Sequence, residues 1–247
     1  DVYEFNRAII DATTDLVCAY KPNVAFYDGM GERGHKALLE TLRYIPDHIP
    51  VIGDSKRGDV QPTARFHARA MFEVWGFDAA TVNAYGGRDA IQPFLDYREK
   101  GVFIWCRSSN PGAKDIQDLL VASSPGEEPR PLYERMALLG REWNAENGNV
   151  GLVVGATYPE ELGQVRNLCP DMPILIPGVG AQQGPLELAV SNGVDSSGSN
   201  AIISVSRSVL YASHDPKDFA ERAYTVARGI KEHINSQLRF QFKVGVG

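Results

Sequence analysis

The 247-residue sequence predicts an α/β fold, a (β/α)8 (TIM) barrel, on three observations. Short apolar segments rich in β-branched and aromatic residues alternate with helical patterns along the chain. The segments begin 34, 29, 23, 48, 23 and 28 residues apart, which is the rhythm of repeated βα units. Polar residues follow the segments directly, and in a barrel these carboxyl ends of the strands meet on one face. An open doubly wound sheet, the alternative, would gather ligand residues mainly at one switch point.

Seven segments are interpreted as buried parallel strands, because each is too short and too apolar for an exposed helix. They are 16–21 (LVCAYK), 50–56 (PVIGDSK), 79–85 (AATVNAY), 102–108 (VFIWCRS), 150–156 (VGLVVGA), 173–179 (PILIPGV) and 201–206 (AIISVS). Between them, apolar residues recur with the spacing of a helix that packs one face on a sheet. The predicted helices carry the sequences TARFHARAMFEVWG, PLYERMALLGREW, PEELGQVRNL, PLELAVSNG and PKDFAERAYTVARGIKEHI.

The first strand of the barrel is not evident in the sequence. The first predicted helix, YEFNRAIIDAT, precedes the first predicted strand, so a complete barrel requires a strand upstream of Asp1 or a substitute. The C-terminal RFQFKVGVG alternates between polar and apolar residues like a strand and is one such substitute. We therefore assign residues 1–238 to one barrel domain and 239–247 to a tail, either strand-like or a remnant of expression.

Composition and charge restrict the class of protein. The formal net charge is −6 and there is no basic block, which argues against general binding of nucleic acid or of a membrane surface. No apolar run approaches the roughly 18 residues of a membrane span, and no signal peptide is visible. The 3 cysteines lie far apart, which is typical of a reducing compartment, so we expect a cytoplasmic protein. The 5 histidines show no metal-ligand spacing, and no metal site is predicted.

The segment DSKRGDVQPT, at 54–63, concentrates charge directly after an apolar strand. Asp54 and Lys56 lie two residues apart, so in an extended strand their side chains point the same way. Asp59 follows beyond a turn, and Lys21 ends the preceding predicted strand. We expect an alternating Lys–Asp–Lys–Asp cluster in which opposite charges stabilise each other's ionised forms. A structural ion-pair network is the alternative, but buried ion pairs stabilise poorly, which favours a catalytic role.

Two loops near the C-terminus predict a phosphate site. PGVGAQQG, at 177–184, lies between a strand and a helix, and its glycines, Gly180 among them, let backbone N–H groups approach an anion. Arg207, within SVSRS at the next strand end, can donate two parallel hydrogen bonds to a phosphate. In barrels, the loops after strands seven and eight commonly hold a phosphate, so we expect a phosphorylated ligand.

A third polar strand end is CRSSNPGA, at 106–113. It places hydroxyl groups and an amide before a Pro-Gly turn, where Ser109 can contact a ligand. Turn formation alone would account for Asn110, Pro111 and Gly112, so the residues themselves leave both interpretations open.

In their order along the chain, these motifs resemble orotidine 5′-phosphate decarboxylases of the longer bacterial type. The matching segments span nearly the whole chain: AYKPNVAFY, DSKRGDVQPTA, TVNAYGGRDAIQPFL, CRSSNPGA, NVGLVVGATYPEEL, IPGVGAQQG and SRSVLYAS. Related phosphate-binding barrels share the pattern D-x-K-x-x-D, whereas the ordered set is specific. The resemblance implies a lyase that converts orotidine 5′-phosphate to UMP in de novo pyrimidine biosynthesis, without a metal or an organic cofactor.

The resemblance also implies roles for the candidate residues. The charged tetrad of that family corresponds to Lys21, Asp54, Lys56 and Asp59 in this sequence. Lys56 would be the acid that protonates C6 of the pyrimidine, and Ser109 would contact the pyrimidine amide. Gln182 and Arg207 would hold the phosphate, with Gly180 in the same loop as Gln182, and that loop would close over substrate.

The resemblance further implies a homodimer. Asp59 and Thr63 would reach into the active site of the partner subunit. The other expected partner is the small-molecule substrate, with no nucleic acid and no membrane. The first strand implied by the resemblance carries a ribose-binding aspartate, and the sequence begins after that point.

Two other functions stay open. A metal-dependent sugar-phosphate decarboxylase of the same barrel family also carries D-x-K-x-x-D, but it has a carboxylate ligand where Lys21 stands, and a lysine ammonium cannot bind Mg²⁺. The second is a truncated or non-catalytic barrel that binds a phosphoribosyl nucleotide, or a domain of a bifunctional UMP-forming enzyme. The missing first strand motivates this second function.

Overall fold

The structure, a computed structural model, describes residues 1–179 and 185–242. These residues divide into two compact units. The first unit comprises Asp1–Val102 and Ser206–His233. The second comprises the described residues of 103–205 and 234–242.

Helices and strands alternate along most of the chain. In order, the elements are α1 (Val2–Thr13), α2 (Val24–Asp28), α3 (Glu32–Tyr44), β1 (Ile52–Arg57), α4 (Gln61–Arg69) with a π-helical continuation (Ala70–Val74), β2 (Ala79–Val82), α5 (Gln92–Leu95), β3 (Gly101–Arg107), a 3-10 turn (Pro111–Ala113), α6 (Lys114–Gln117), β4 (Leu120–Val121), β5 (Arg130–Pro131), α7 (Leu132–Asn147), β6 (Val150–Val154), α8 (Pro159–Leu168), β7 (Ile174–Pro177), α9 (Leu186–Gly193), β8 (Ala201–Ser204), α10 (Arg207–Leu210) and α11 (Phe219–Phe242).

The predicted strands from residue 50 onward and the predicted helices are confirmed. Most of the strands end two residues or so before the predicted boundary, as β2 does at Val82 and β6 at Val154. Asn83 therefore lies just beyond β2, whereas Asp54 and Lys56 lie within β1.

In the first unit, β1 and β2 pair in parallel through Ile52↔Ala79 and Gly53↔Ala80. The predicted strand at 16–21 is present only as isolated bridges, Tyr20 with Val51 and Asn23 with Asp54. Pro22 lies between the two bridges and has no N–H to donate, which interrupts the ladder. The segment still follows β1, because the N–H of Asp54 donates to the Pro22 carbonyl at 2.9 Å.

In the second unit, the strand order is β3, β6, β7, β8, and β7 pairs in parallel with both of its neighbours. The segment between α6 and α7 contains the antiparallel pair β4 and β5, in which Leu120 lies opposite Pro131. Each unit buries apolar side chains of its own, such as Leu38 and Phe77 in the first unit and Leu152 and Ile174 in the second. Among the helices in the described ranges, none combines the length and apolarity needed to cross a membrane.

The C-terminal segment differs from the prediction. α11 continues to Phe242, so Arg239–Phe242 are helical, and the expectation of a strand is wrong for these residues. The Gln241 amide donates to the Ser191 carbonyl at 3.3 Å, and the Phe242 ring lies 3.1 Å from where a Cβ on Gly198 would stand. These contacts within the second unit outweigh the alternating pattern. Residues 243–247 lie outside the described part of the chain, and the domain boundary at 238 stays a prediction.

Candidate active site

Asp54 is the centre of a charged cluster in the first unit, formed with Lys21 and Lys56. The Asp54 side chain is 8% exposed. Lys21 Nζ donates to Asp54 Oδ2 at 2.9 Å, and Lys56 Nζ donates to Asp54 Oδ1 at 2.5 Å. The structure therefore brings together three residues of the predicted tetrad, drawn from the segment before α2 and from β1.

The two lysines decide the ionisation of Asp54. Burial alone would raise the pKa of Asp54, because a buried carboxylate loses hydration. The ammonium groups of Lys21 and Lys56 outweigh burial and lower the pKa of Asp54 to about 2. Asp54 is therefore a carboxylate throughout the neutral range, held between two cations.

The backbone of β1 at Lys56 is not a regular strand. The pairing of β1 with β2 passes from Gly53↔Ala80 to Arg57↔Val82, so β1 bulges opposite β2. Lys56 has a φ of 46°, in the left-handed region that residues other than glycine seldom adopt. The alternation of side chains along a strand predicted that Asp54 and Lys56 lie on the same face of β1. The contact between them is present, but a bulge in β1 produces it rather than regular alternation.

Asn23 and Thr81 also contact Asp54, and the sequence did not single them out. Asn23 Nδ2 donates to Asp54 Oδ2 at 3.4 Å, while its Oδ1 accepts the N–H of Ala25 and caps α2. Thr81 Oγ1 donates to Asp54 Oδ1 at 2.9 Å. The available signals were an asparagine at a helix start and a hydroxyl within the apolar run AATV.

Asp59 lies outside the charged cluster of its own chain. It is exposed, and its Oδ1 accepts the N–H of Val60 at 2.7 Å. Among the described residues, this is the hydrogen bond that the Asp59 side chain makes. No hydrogen bond or ion pair within these ranges links Asp59 to Lys56. Thr63 is exposed in the first turn of α4. Their predicted contribution to a partner's site stays a prediction.

Ser109 lies in a tightly fixed turn of the second unit. A Cβ on Gly155 would stand 2.7 Å from Ser109 Cβ, so only glycine allows this approach of the two segments. Thr157 Oγ1 donates to the Ser109 carbonyl at 3.0 Å. Beside it, the fully buried Arg107 lies 4.0 Å from the ring centre of Tyr158. The turn is well held, and the role of Ser109 stays a prediction.

The predicted phosphate residues are described only in part. Gly180 and Gln182 lie outside the described residues. Arg207 is exposed and begins α10 in the first unit. Whether it binds a phosphate stays a prediction from the sequence.

Within 1–179 and 185–242, no group of three or more His, Cys, Asp or Glu side chains is placed to hold a metal ion. Cys18 is an exposed free thiol, and Cys106 and Cys169 are buried free thiols.

Comparison with known proteins gives one consistent family. The family model described as "Orotidine 5′-phosphate decarboxylase / HUMPS family" matches residues 1–223. The orotidine 5′-phosphate decarboxylase of Thermomicrobium roseum is 54% identical over 230 residues, which is 93% of this chain and 80% of that protein.

Solved structures agree with the sequence comparison. OMP decarboxylase of Leishmania donovani is 38% identical with a TM-score of 0.84, covering 96% of this chain and 87% of that one. UMP synthase of the same organism is 39% identical with a TM-score of 0.87, covering 95% of this chain and 49% of that one. This likeness confirms the predicted (β/α)8 barrel class. The chain belongs to the orotidine 5′-phosphate decarboxylase / HUMPS family.

Proposed function

We propose that this chain converts orotidine 5′-phosphate to UMP and CO₂ in de novo pyrimidine biosynthesis. The observation that carries the proposal is the charged cluster in which Lys21 and Lys56 flank the buried Asp54 carboxylate. It lies in a chain that is 54% identical to a protein named for this reaction. The cluster has two ammonium groups and one carboxylate, and the excess positive charge suits an anionic substrate.

The chemistry requires a fixed cation beside C6 of the pyrimidine. Loss of CO₂ breaks the bond from C6 to the carboxylate and leaves the electron pair on C6, in the ring plane, where the ring carbonyls cannot delocalise it. A positioned ammonium in a site withdrawn from water stabilises this charge. A proton of Lys56 Nζ then moves to C6 and gives UMP, and the neutral amine regains a proton from solvent. Lys56 is thus the catalytic acid.

Asp54 and Lys21 support this step electrostatically. Asp54 is ionised at neutral pH, because its pKa is about 2, and it accepts a hydrogen bond from the Lys56 ammonium at 2.5 Å. Lys21 binds the other carboxylate oxygen and offsets its charge. Asp54 therefore fixes where the Lys56 proton stands before transfer.

Binding of the substrate is assigned to other residues. Ser109 contacts the pyrimidine amide, and Arg207 and Gln182 hold the phosphate, with Gly180 in the loop that closes. Phosphate binding far from C6 supplies energy for that closure and for the exclusion of water.

The active unit is a homodimer in which Asp59 and Thr63 serve the partner's site. Support comes from the exposed position of Asp59 and from exposed apolar side chains in the segment that follows it, since Val60 is 65% exposed and Phe66 is 73% exposed. Exposed apolar side chains in one segment mark a surface that another chain covers. The cytoplasmic location stays a prediction from the cysteines.

The direct test is to add orotidine 5′-phosphate to the purified chain and follow pyrimidine absorbance, with UMP binding measured by calorimetry. We expect UMP to bind and orotidine 5′-phosphate to be converted. UMP binding without any conversion by the intact wild type would instead support a binding module, or a domain that needs the rest of a bifunctional enzyme.

Removal of metal distinguishes the proposed reaction from that of a metal-dependent sugar-phosphate decarboxylase of the same barrel family. The description of the matching family also includes HUMPS proteins. This chain differs from a metal-dependent sugar-phosphate decarboxylase at Lys21, which donates to Asp54 at 2.9 Å. Since an ammonium group cannot be a metal ligand, we expect the same rate of decarboxylation before and after treatment with EDTA. A loss of activity that Mg²⁺ restores would overturn this assignment.

A further inference from the structure

Thr81 lies in β2, facing the bulge of β1, and it is fully buried. Its Oγ1 donates to Asp54 Oδ1 at 2.9 Å. The same oxygen accepts the backbone N–H of Ser55 at 2.9 Å and that of Lys56 at 3.0 Å. A hydroxyl has one donor hydrogen and two acceptor lone pairs, so these three hydrogen bonds use its whole capacity.

The Thr81 hydroxyl replaces the backbone ladder where β1 bulges. A bulge leaves residues of one strand without ladder partners. Here the N–H groups of Ser55 and Lys56 are directed to a side chain, and Ser55 Oγ donates back to the Thr81 carbonyl at 3.2 Å. The bulge is therefore held by side chains of both strands.

Lys56 is constrained at both ends through Thr81. At the backbone, its φ of 46° belongs to a conformation that persists only where the surroundings over-determine it, and Thr81 accepts its N–H. At the tip, its ammonium is bound by Asp54 Oδ1, the same oxygen to which Thr81 donates. A long, flexible side chain is thereby held at its root by Thr81 and at its end by Asp54, to which Thr81 also donates.

We propose that Thr81 is a positioning residue for the decarboxylation. Its hydroxyl fixes the Asp54 carboxylate and the Lys56 main chain together, so that the ammonium stands where charge develops on C6. Thr81 acts through Asp54 and Lys56 and does not touch the reacting atoms. The inference rests on the proposed function, since the place of the ammonium matters to the rate only if Lys56 supplies the proton.

The test compares Thr81→Val, which keeps the shape and removes the hydroxyl, with Thr81→Ser, which keeps the hydroxyl. We expect Thr81→Val to lower kcat by about 10²-fold with KM for orotidine 5′-phosphate changed less than about threefold, because a small misplacement of a reacting group costs that much. Thr81→Ser should retain a kcat within about threefold of wild type, because its hydroxyl can make the same three hydrogen bonds.

Thr41→Val is the matched control. Thr41 is 4% exposed, and its hydroxyl donates to the Ala37 carbonyl at 2.7 Å within α3. The Thr41→Val variant also loses a buried hydroxyl, but this hydroxyl has no hydrogen bond to the charged cluster. Its kcat should therefore stay at the wild-type value.

Several outcomes overturn the inference. A folded Thr81→Val variant with wild-type kcat would do so, as would a change confined to KM. If circular dichroism shows that Thr81→Val does not fold, Ser55→Ala decides, because it removes only the hydrogen bond to the Thr81 carbonyl. A several-fold fall in its kcat at constant KM supports positioning, and an unchanged kcat overturns it. An inactive wild type overturns the proposed function and this inference with it, whereas an active wild type with an equally active Thr81→Val overturns this inference alone.

Discussion

Asp54 accepts hydrogen bonds from four side chains, those of Lys21, Asn23, Lys56 and Thr81. A carboxylate has about four acceptor positions, so little of its capacity is left for water. Because two of the donors are cations, its charge is compensated within the protein. This single residue therefore links the ionisation of the site to the stability of the first unit.

The link predicts a pH dependence of stability. The pKa of Asp54 is about 2 in the folded chain, below the value of about 3.9 in an unfolded chain. The unfolded chain takes up the proton first as the pH falls, so the stabilisation is complete above about pH 4 and is lost towards about pH 2. Urea unfolding should show that wild type loses about 2 kcal/mol more than Asp54→Asn across this range.

Asp195 provides the control for this experiment. Its pKa is also about 2, lowered by hydrogen bonds from the Ser197 hydroxyl and the Ser199 N–H, but it is partly exposed and far from any lysine of the cluster in sequence. Asp195→Asn should leave the difference between wild type and Asp54→Asn unchanged. Equal pH dependence of wild type and Asp54→Asn would contradict the account.

The charged residues around Asp54 could be predicted, and its uncharged partners Asn23 and Thr81 could not. Lys21, Asp54 and Lys56 stand out because charge after an apolar strand is unusual. Thr81 is a common strand residue, and nothing in its neighbours shows that its hydroxyl faces Asp54. The left-handed backbone of Lys56 was also unpredictable, since residues other than glycine seldom adopt it.

At the scale of elements, Arg166 connects several elements of the second unit by hydrogen bonds to backbone carbonyls. It is 7% exposed on α8, and its guanidinium donates to the carbonyls of Gly193, Met172 and Asn200 at 2.6 to 2.9 Å. A further hydrogen bond reaches the carbonyl of Cys169, which follows α8. The end of α9 and the segments that lead into β7 and β8 are thus attached to one side chain.

Replacing Arg166 should destabilise the fold strongly. Arg166→Met keeps much of the length and leaves several buried carbonyls without a donor, so we expect a loss of about 3 kcal/mol in the free energy of unfolding. Arg141 is the matched control: it is exposed and donates to the Leu168 carbonyl at 2.7 Å. Arg141→Met should cost less than about 1 kcal/mol, because water can replace it. Similar urea midpoints for the two variants would be incompatible with this role of Arg166.

Element types were predictable where a pattern was long, and less so at the ends of the chain. The helices and the strands predicted from residue 50 onward are found. The segment 16–21 has the composition of a strand, but Pro22 interrupts its ladder. RFQF at 239–242 alternates, yet its packing in the second unit favours the helix.

At the scale of the whole molecule, the proposed homodimer predicts complementation between inactive chains. In a mixed dimer of Lys56→Ala and Asp59→Ala chains, one site has both substitutions and the other has neither. Random refolding of an equal mixture makes half of the dimers mixed, so we expect about a quarter of wild-type activity. The measurement is decarboxylation after joint unfolding and refolding.

The control mixture is Lys56→Ala with Lys21→Ala. In the proposed dimer both lysines act in their own subunit, so each site of a mixed dimer keeps one substitution and activity should not return. Inactivity of the first mixture, or equal recovery in both mixtures, would refute a shared site. A single chain cannot reveal this arrangement, because the sequence places Asp59 beside Lys56 whichever subunit it serves.

The measurement that tests the account most directly is kcat for decarboxylation of orotidine 5′-phosphate by Lys56→Ala. Lys36→Ala serves as control, since Lys36 is 76% exposed on α3. We predict a fall of at least about 10⁴-fold for Lys56→Ala, because both the proton donor and the charge that stabilises C6 are lost, and no change for Lys36→Ala. A folded Lys56→Ala variant within about tenfold of wild type would contradict the central role of Lys56.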